Sequence, residues 1–197
     1  ITLIDGLIFF KTKNIVHRDI KLANIVYNFN TGKIKYIDFG LMIKKTRAIE
    51  LSKKSGDGYA IDHGYWPPEN ICRNFNKYNL SAKCKYLKDN KNYSYDDFLE
   101  LAINSFDLYT LALVFNQIGF IIQKEYFLNL FDESFSQTLN NFTKRLIDLS
   151  KKYILPNFFQ REKDINLLKS EYIQLFDMLS LKTVVPTLQH QLPLPPK

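Results

Sequence analysis

The chain has 197 residues, enough for one domain with a proper core. Hydrophobic residues make up 46% and aromatics 15%, which excludes a disordered chain as the first reading. The net charge is +7, yet Lys and Arg are scattered and no nucleic-acid motif accompanies them, so no specific nucleic-acid partner is expected.

The chain opens at Ile1, with neither an initiator methionine nor a secretory signal. Residues 1–12 read as a helix, because Leu3, Leu7 and Phe10 recur at three- or four-residue spacing. Residues 24–27 and 33–37 read as short strands. Between them, Asn28-Phe29-Asn30-Thr31-Gly32 has the composition of a hairpin turn. Residues 41–64 are polar and contain Gly56, Gly58 and Gly64, which predicts a mobile loop. Ser94 is a candidate N-cap for a helix running through Ile103, with Asp96 and Asp97 in its first turn. A second, buried helix is expected over 107–123. Its apolar part is short and interrupted by Asn116 and Gln117, so no membrane span is expected. Residues 127–181 read as helical again, broken near Pro156. Cys72 and Cys84 lack metal-ligand spacing and read as reduced thiols in an intracellular protein.

Two runs carry chemistry: His17-Arg18-Asp19-Ile20-Lys21-Leu22-Ala23-Asn24, and Asp38-Phe39-Gly40. Their residue types suit phosphoryl transfer. Asp19 is placed to accept the proton of an attacking hydroxyl, and Lys21 to neutralise charge on the transferred group. Asn24 and Asp38 offer the hard oxygen ligands that Mg²⁺ prefers. The candidate catalytic residues are therefore Asp19 and Lys21. Lys21, Asn24 and Asp38 are the candidate nucleotide contacts, the last two also as metal ligands.

These runs match H-R-D-x-x-x-x-N and D-F-G, so the chain resembles the C-terminal lobe of a eukaryotic-type serine/threonine protein kinase domain. Tyr65-Trp66-Pro67-Pro68-Glu69 resembles the family's segment ending in A-P-E, with Pro67 in place of Ala. Asp107-Leu108-Tyr109-Thr110-Leu111-Ala112 resembles the D-x-W-S-x-G start of its central helix. The resemblance implies an α+β, mainly α fold in which a short β-hairpin carries the catalytic and metal-binding loops. It also implies ATP and Mg²⁺ as cofactors, and a protein substrate with a Ser or Thr acceptor, since lysine at the place of Lys21 goes with such substrates. His17 is expected to pack and orient its loop, Asp107 to hold the catalytic-loop backbone, and Arg161 to pair with Glu69. Arg18 marks members tied to a phosphorylated activation segment, where Thr46, Ser52, Ser55 and Tyr59 are unranked candidate acceptors.

Residues 1–182 would form this lobe, and 183–197 a Pro-rich flexible tail. There, Pro193 and Pro196 beside Lys197 have the spacing of an SH3-type ligand. Three departures from the family stand out. Residues 74–104 read as an insertion, because the family joins Glu69 to Asp107 by a shorter connection. Asp62 occupies the place of a threonine, where it could bridge to Lys21 and repel Asp19. The glycine-rich loop, strand lysine and helix glutamate of the family's N-terminal lobe are absent from residues 1–197, which reads as a piece of a longer polypeptide or a truncated product. The competing expectation is a pseudokinase-like interaction module without turnover. A small-molecule phosphotransferase is disfavoured by Pro67-Pro68-Glu69. Heavy use of Asn, Lys, Ile and Tyr fits an AT-rich genome such as that of a large DNA virus or a protist. The setting is expected to be cytoplasmic, the host cytoplasm if viral.

Overall fold

The computed structural model describes residues 1–54, 65, 67–69, 94–124 and 133–177. The expectations on Ser55, Tyr59, Asp62, Cys72, Cys84, residues 74–93 and the tail 183–197 lie outside the described residues.

The first helix, α1 (Thr2–Thr12), leads into the short strand β1 (Ile15–Val16). After the run from His17 to Lys21, a 3-10 turn (Leu22–Asn24) delivers the chain into β2 (Ile25–Asn28). β3 (Lys33–Tyr36) pairs with β2 antiparallel, from Ile25 opposite Tyr36 to Asn28 opposite Lys33. Gly32 closes their turn at φ +64°, a backbone region that glycine enters without steric cost. The expected hairpin is therefore present, with Asn24 and Ile37 just outside its strands. β4 (Ile43–Lys44) pairs antiparallel with β1, with Val16 opposite Ile43.

The mobile loop expected over 41–64 is corrected where it is described. Beyond β4, the chain forms a helix, α2 (Lys45–Lys54). Its sequence is too polar to announce a helix, but Ala48 and Ser52, one turn apart, are both buried. Lys45 pairs with Glu100 at 2.9 Å and Lys53 with Asp96 at 2.8 Å, so partners far along the chain hold this helix in place. Such exposed pairs contribute at most about 1 kcal/mol each.

A second correction concerns the two helices expected before and after Asp107. They are one 29-residue helix, α3 (Tyr95–Gln123). Ser94 caps it as expected, accepting the Asp97 N–H at 3.1 Å. Polar residues inside it do not break it, because they bond to its own backbone: Ser105 Oγ donates to the Leu101 carbonyl at 2.9 Å, and Thr110 Oγ1 to that of Asp107 at 3.0 Å. By length and composition its segment Asp96–Gln123 could cross a membrane, but 78% of the apolar window is buried inside the protein, the mark of a core helix. α4 (Glu133–Lys151) crosses α3 closely at Gly119, where an added Cβ would meet Ile147 Cγ1 at 2.6 Å. A 3-10 turn (Phe158–Gln160) and α5 (Ile165–Asp177) follow, so the break expected near Pro156 falls between α4 and α5.

Two apolar clusters meet along α3. The larger joins Leu7 and Phe10 of α1 to Leu108 and Leu111 of α3, Leu146 of α4 and Leu168 of α5. The smaller joins Val16 and Ala48 to Leu99, Ala102 and Phe106 on α3 and to Phe158. Asp107 sits in sequence between Phe106 of one cluster and Leu108 of the other.

The expected partnership of Glu69 with Arg161 is present. Arg161 Nη1 and Nη2 donate to the two carboxylate oxygens at 2.6 and 2.8 Å, both side chains being almost wholly buried. The guanidinium also lies over the Tyr109 ring at 4.5 Å, and its Nε donates to the Leu155 carbonyl at 3.1 Å. Replacing Arg161 by Ala should cost about 3–5 kcal/mol, because it leaves a buried carboxylate unpaired. The urea midpoint should drop, and the double variant E69L/R161M should lose less than R161A alone.

Candidate functional site

The His17–Asn24 run is anchored from the core. Asp107 Oδ2 accepts the His17 N–H at 2.7 Å, and its Oδ1 accepts that of Arg18 at 3.0 Å. Arg18 has φ +71°, a conformation that costs a non-glycine residue about 1–3 kcal/mol unless its surroundings impose it. Those surroundings include Asp107 and the Leu41 carbonyl, which accepts from Arg18 Nη1 at 3.2 Å.

His17 is fully buried, its ring centroid 5.8 Å from that of Phe10, 5.7 Å from Tyr36 and 5.3 Å from Phe39. Its Nδ1 accepts the Asp19 N–H at 3.4 Å. Burial in this aromatic surround pushes the imidazole below its ordinary pKa, against the opposing pull of Asp107, Asp19 and Asp38. Burial likewise pushes the Asp107 carboxyl up, while the two backbone N–H donors pull it down.

Three of the four candidate residues are in direct contact. Lys21 Nζ lies 3.1 Å from Asp19 Oδ2. Asn24 Nδ2 donates to the same oxygen at 2.7 Å and to the Asp19 carbonyl at 2.9 Å. Asp19 Oδ1 is buried and has no hydrogen-bond partner among the described residues. The amide of Asn24 is thus committed through its nitrogen, which frees its oxygen for a ligand.

Asp38 reaches the same end of the hairpin by a different route. The Ile37 N–H donates to the Asn24 carbonyl at 2.9 Å, extending the β2–β3 pairing and setting Asp38 one residue beyond. Asp38 is exposed, has φ +60°, and its Oδ1 accepts the Gly40 N–H at 3.3 Å. Aspartate tolerates this backbone region better than most residues.

Sequence reasoning missed Tyr65 as a brace for this loop. Its hydroxyl accepts the Leu22 N–H at 3.4 Å and donates to Gln117 Oε1 at 2.9 Å, linking the turn after Lys21 to α3. Nothing in the local pattern signals a bond between residues so far apart. Tyr36 was likewise unremarkable as a strand residue, yet its hydroxyl donates to the Leu3 carbonyl at 2.7 Å and ties the hairpin to α1.

Residues 1–86 match the family described as protein kinase domain. The chain is 41% identical over 58 residues to gskl-1 of Caenorhabditis elegans, named as a serine/threonine-protein kinase, covering 29% of this chain and 15% of that protein. It is 56% identical over 39 residues to cyclin-dependent kinase 12 of Drosophila melanogaster, covering 20% of this chain and 3% of the relative. It is 34% identical over 80 residues to the mitogen-activated protein kinase kinase kinase YODA of Arabidopsis thaliana, covering 41% and 8%. The chain thus spans a small part of each relative's length. No solved structure matches it. Family and relatives support a protein kinase, and a mostly helical fold with small antiparallel sheets is compatible with that.

The depressed imidazole fixes a sign for pH dependence. The unfolded chain takes up a proton at His17 near pH 6.5, while the folded chain resists it. This contribution to stability is present above pH 6.5 and is lost as pH falls below it. Asp107, shifted upward from 3.8, works in the opposite direction, contributing less as pH rises above that value. The stability difference between the natural chain and H17F should therefore shrink on acidification below pH 6.5. An NMR titration should place the His17 pKa below 6.5.

Proposed function

We propose that this chain is the catalytic-loop lobe of a serine/threonine protein kinase, serving Mg²⁺-dependent transfer of the ATP γ-phosphoryl group to a protein hydroxyl. The observation that carries the reading is the contact of Lys21 and Asn24 with a single oxygen of Asp19, while Asp19 Oδ1 has no partner among the described residues. A buried carboxylate oxygen of this kind suits an incoming hydroxyl donor.

In this reading Asp19 Oδ1 orients the acceptor hydroxyl and takes its proton. Lys21, held against Oδ2, neutralises charge that builds on the transferred group. Asp107 is a positioning residue, since it acts through the backbone of His17 and Arg18. The donor set fits Mg²⁺, which is commonly held by one or two protein oxygens with phosphates and water completing its shell. Asn24 Oδ1 and the Asp38 carboxylate would hold it, and bound there it neutralises phosphate charge. Among the described residues no group of three or more His, Cys, Asp and Glu forms an all-protein metal cage, so the phosphates and water would complete the shell. The serine/threonine preference rests on Lys21 and on the names of the relatives.

The test is phosphoryl transfer from ATP to protein acceptors, made with the longest polypeptide that carries this chain. D38A should abolish Mg²⁺-dependent transfer. D19N should lower kcat by about 10²–10⁴ with little change in KM for ATP. Undiminished Mg²⁺-dependent transfer by D38A would overturn the metal assignment. Nucleotide binding without any transfer by the natural protein would favour the interaction-module reading instead.

A further inference from the structure

A cavity of about 440 Å³ lies between α1, β1, α3 and the starts of α2 and α5. Its size falls within the usual range for small-molecule sites. It shares no lining side chain with Asp19, Lys21, Asn24 or Asp38. Leu7, Ile15, Leu108 and Ile165 give it apolar walls, while Lys11, Lys45 and Lys163 line it from three separate stretches of chain.

Three lysines and one aspartate line it. Glu100 answers Lys45 at 2.9 Å, and both oxygens of Asp107 are occupied by backbone N–H groups. Lys163 donates to the Arg161 carbonyl at 2.7 Å and lies over the Phe158 ring at 4.5 Å; Glu162 and Glu69 act on its charge from nearby, but it forms no ion pair among the described residues. Lys11 is exposed and has no ion pair among the described residues.

We propose that this cavity is a second binding site, taking a small amphipathic anion whose apolar body packs between the walls and whose single carboxylate meets Lys11 and Lys163. Val16 lines the cavity and directly precedes His17, and Asp107 lines it as well. An occupant therefore touches Asp107, which sets the backbone of the catalytic run, and the residue that leads into it. The site stands independently of the kinase reading.

The probe is 2-naphthoate, with naphthalene-2-methanol as its uncharged counterpart, followed by NMR of the full chain. 2-Naphthoate should shift the methyl signals of Leu7, Ile15, Leu108 and Ile165 saturably, together with the amides of His17 and Arg18. The alcohol, and the variant K11E with 2-naphthoate, should each bind about fivefold more weakly. The variant N104W, altering an exposed residue at the cavity wall, should remove binding by filling the space. Shifts centred on Val26 and Ile34 of the hairpin, equal affinity for acid and alcohol, or undiminished binding by N104W would each overturn the proposal. If N104W fails to fold, K11E and the alcohol decide the question.

Discussion

The structure depends on one carboxylate receiving two backbone N–H groups. His17 and Arg18 turn their amides inward, where an unsatisfied donor costs about 1–3 kcal/mol. Asp107 supplies both acceptors from a helix that lies far along the chain. The left-handed backbone at Arg18 becomes tolerable because the bonds require it. The geometry of Asp19, Lys21 and Asn24 is therefore inherited from the packing of α3, and the local sequence alone does not fix it.

α3 can serve this purpose because its middle is embedded on both sides of Asp107. Phe106 belongs to the cluster shared with α2 and β1, and Leu108 to the cluster shared with α1, α4 and α5. A carboxylate between them cannot drift without disturbing both cores. The same arrangement grips the catalytic run from its two sides. β1 runs into His17 and pairs with β4, whose continuation into α2 docks on α3 through Ala48. The Lys45 N–H donates to the Asn14 carbonyl at 2.9 Å, closing that loop of contacts.

The sequence made the catalytic run legible because its residue types are dense, local and chemically specific. The hairpin was readable from Asn and Gly in its turn, and the Ser94 cap from the acids that follow it. The Glu69–Arg161 pair was reached through family resemblance, since nothing local links residues so distant. α2 and the continuity of α3 were not readable, and for related reasons. α2 has a polar surface with only a narrow buried stripe, so partners on α3 decide its conformation where intrinsic propensity does not. In α3 the polar residues around Asp107 look like a boundary, but side-chain bonds to the helix's own carbonyls absorb them.

The two strained residues beside the site are held unequally, and this has a mechanical consequence. Arg18 is buried and cross-linked to Asp107 and to the Leu41 carbonyl, so its conformation is set by the folded core. Asp38 is exposed, and its side chain bonds only the nearby Gly40 N–H, at 3.3 Å, among the contacts described. The catalytic run is thus held before any ligand arrives, whereas the Asp38-Phe39-Gly40 turn is held at Phe39, whose ring lies 5.3 Å from that of His17 and 6.3 Å from that of Phe10 and whose carbonyl accepts the Met42 N–H at 3.0 Å. A carboxylate on such a turn can adjust to a ligand at little energetic cost, while an orienting group such as Asp19 gains from standing still. The division of labour between a fixed carboxylate and an adjustable one follows from which of them the core holds.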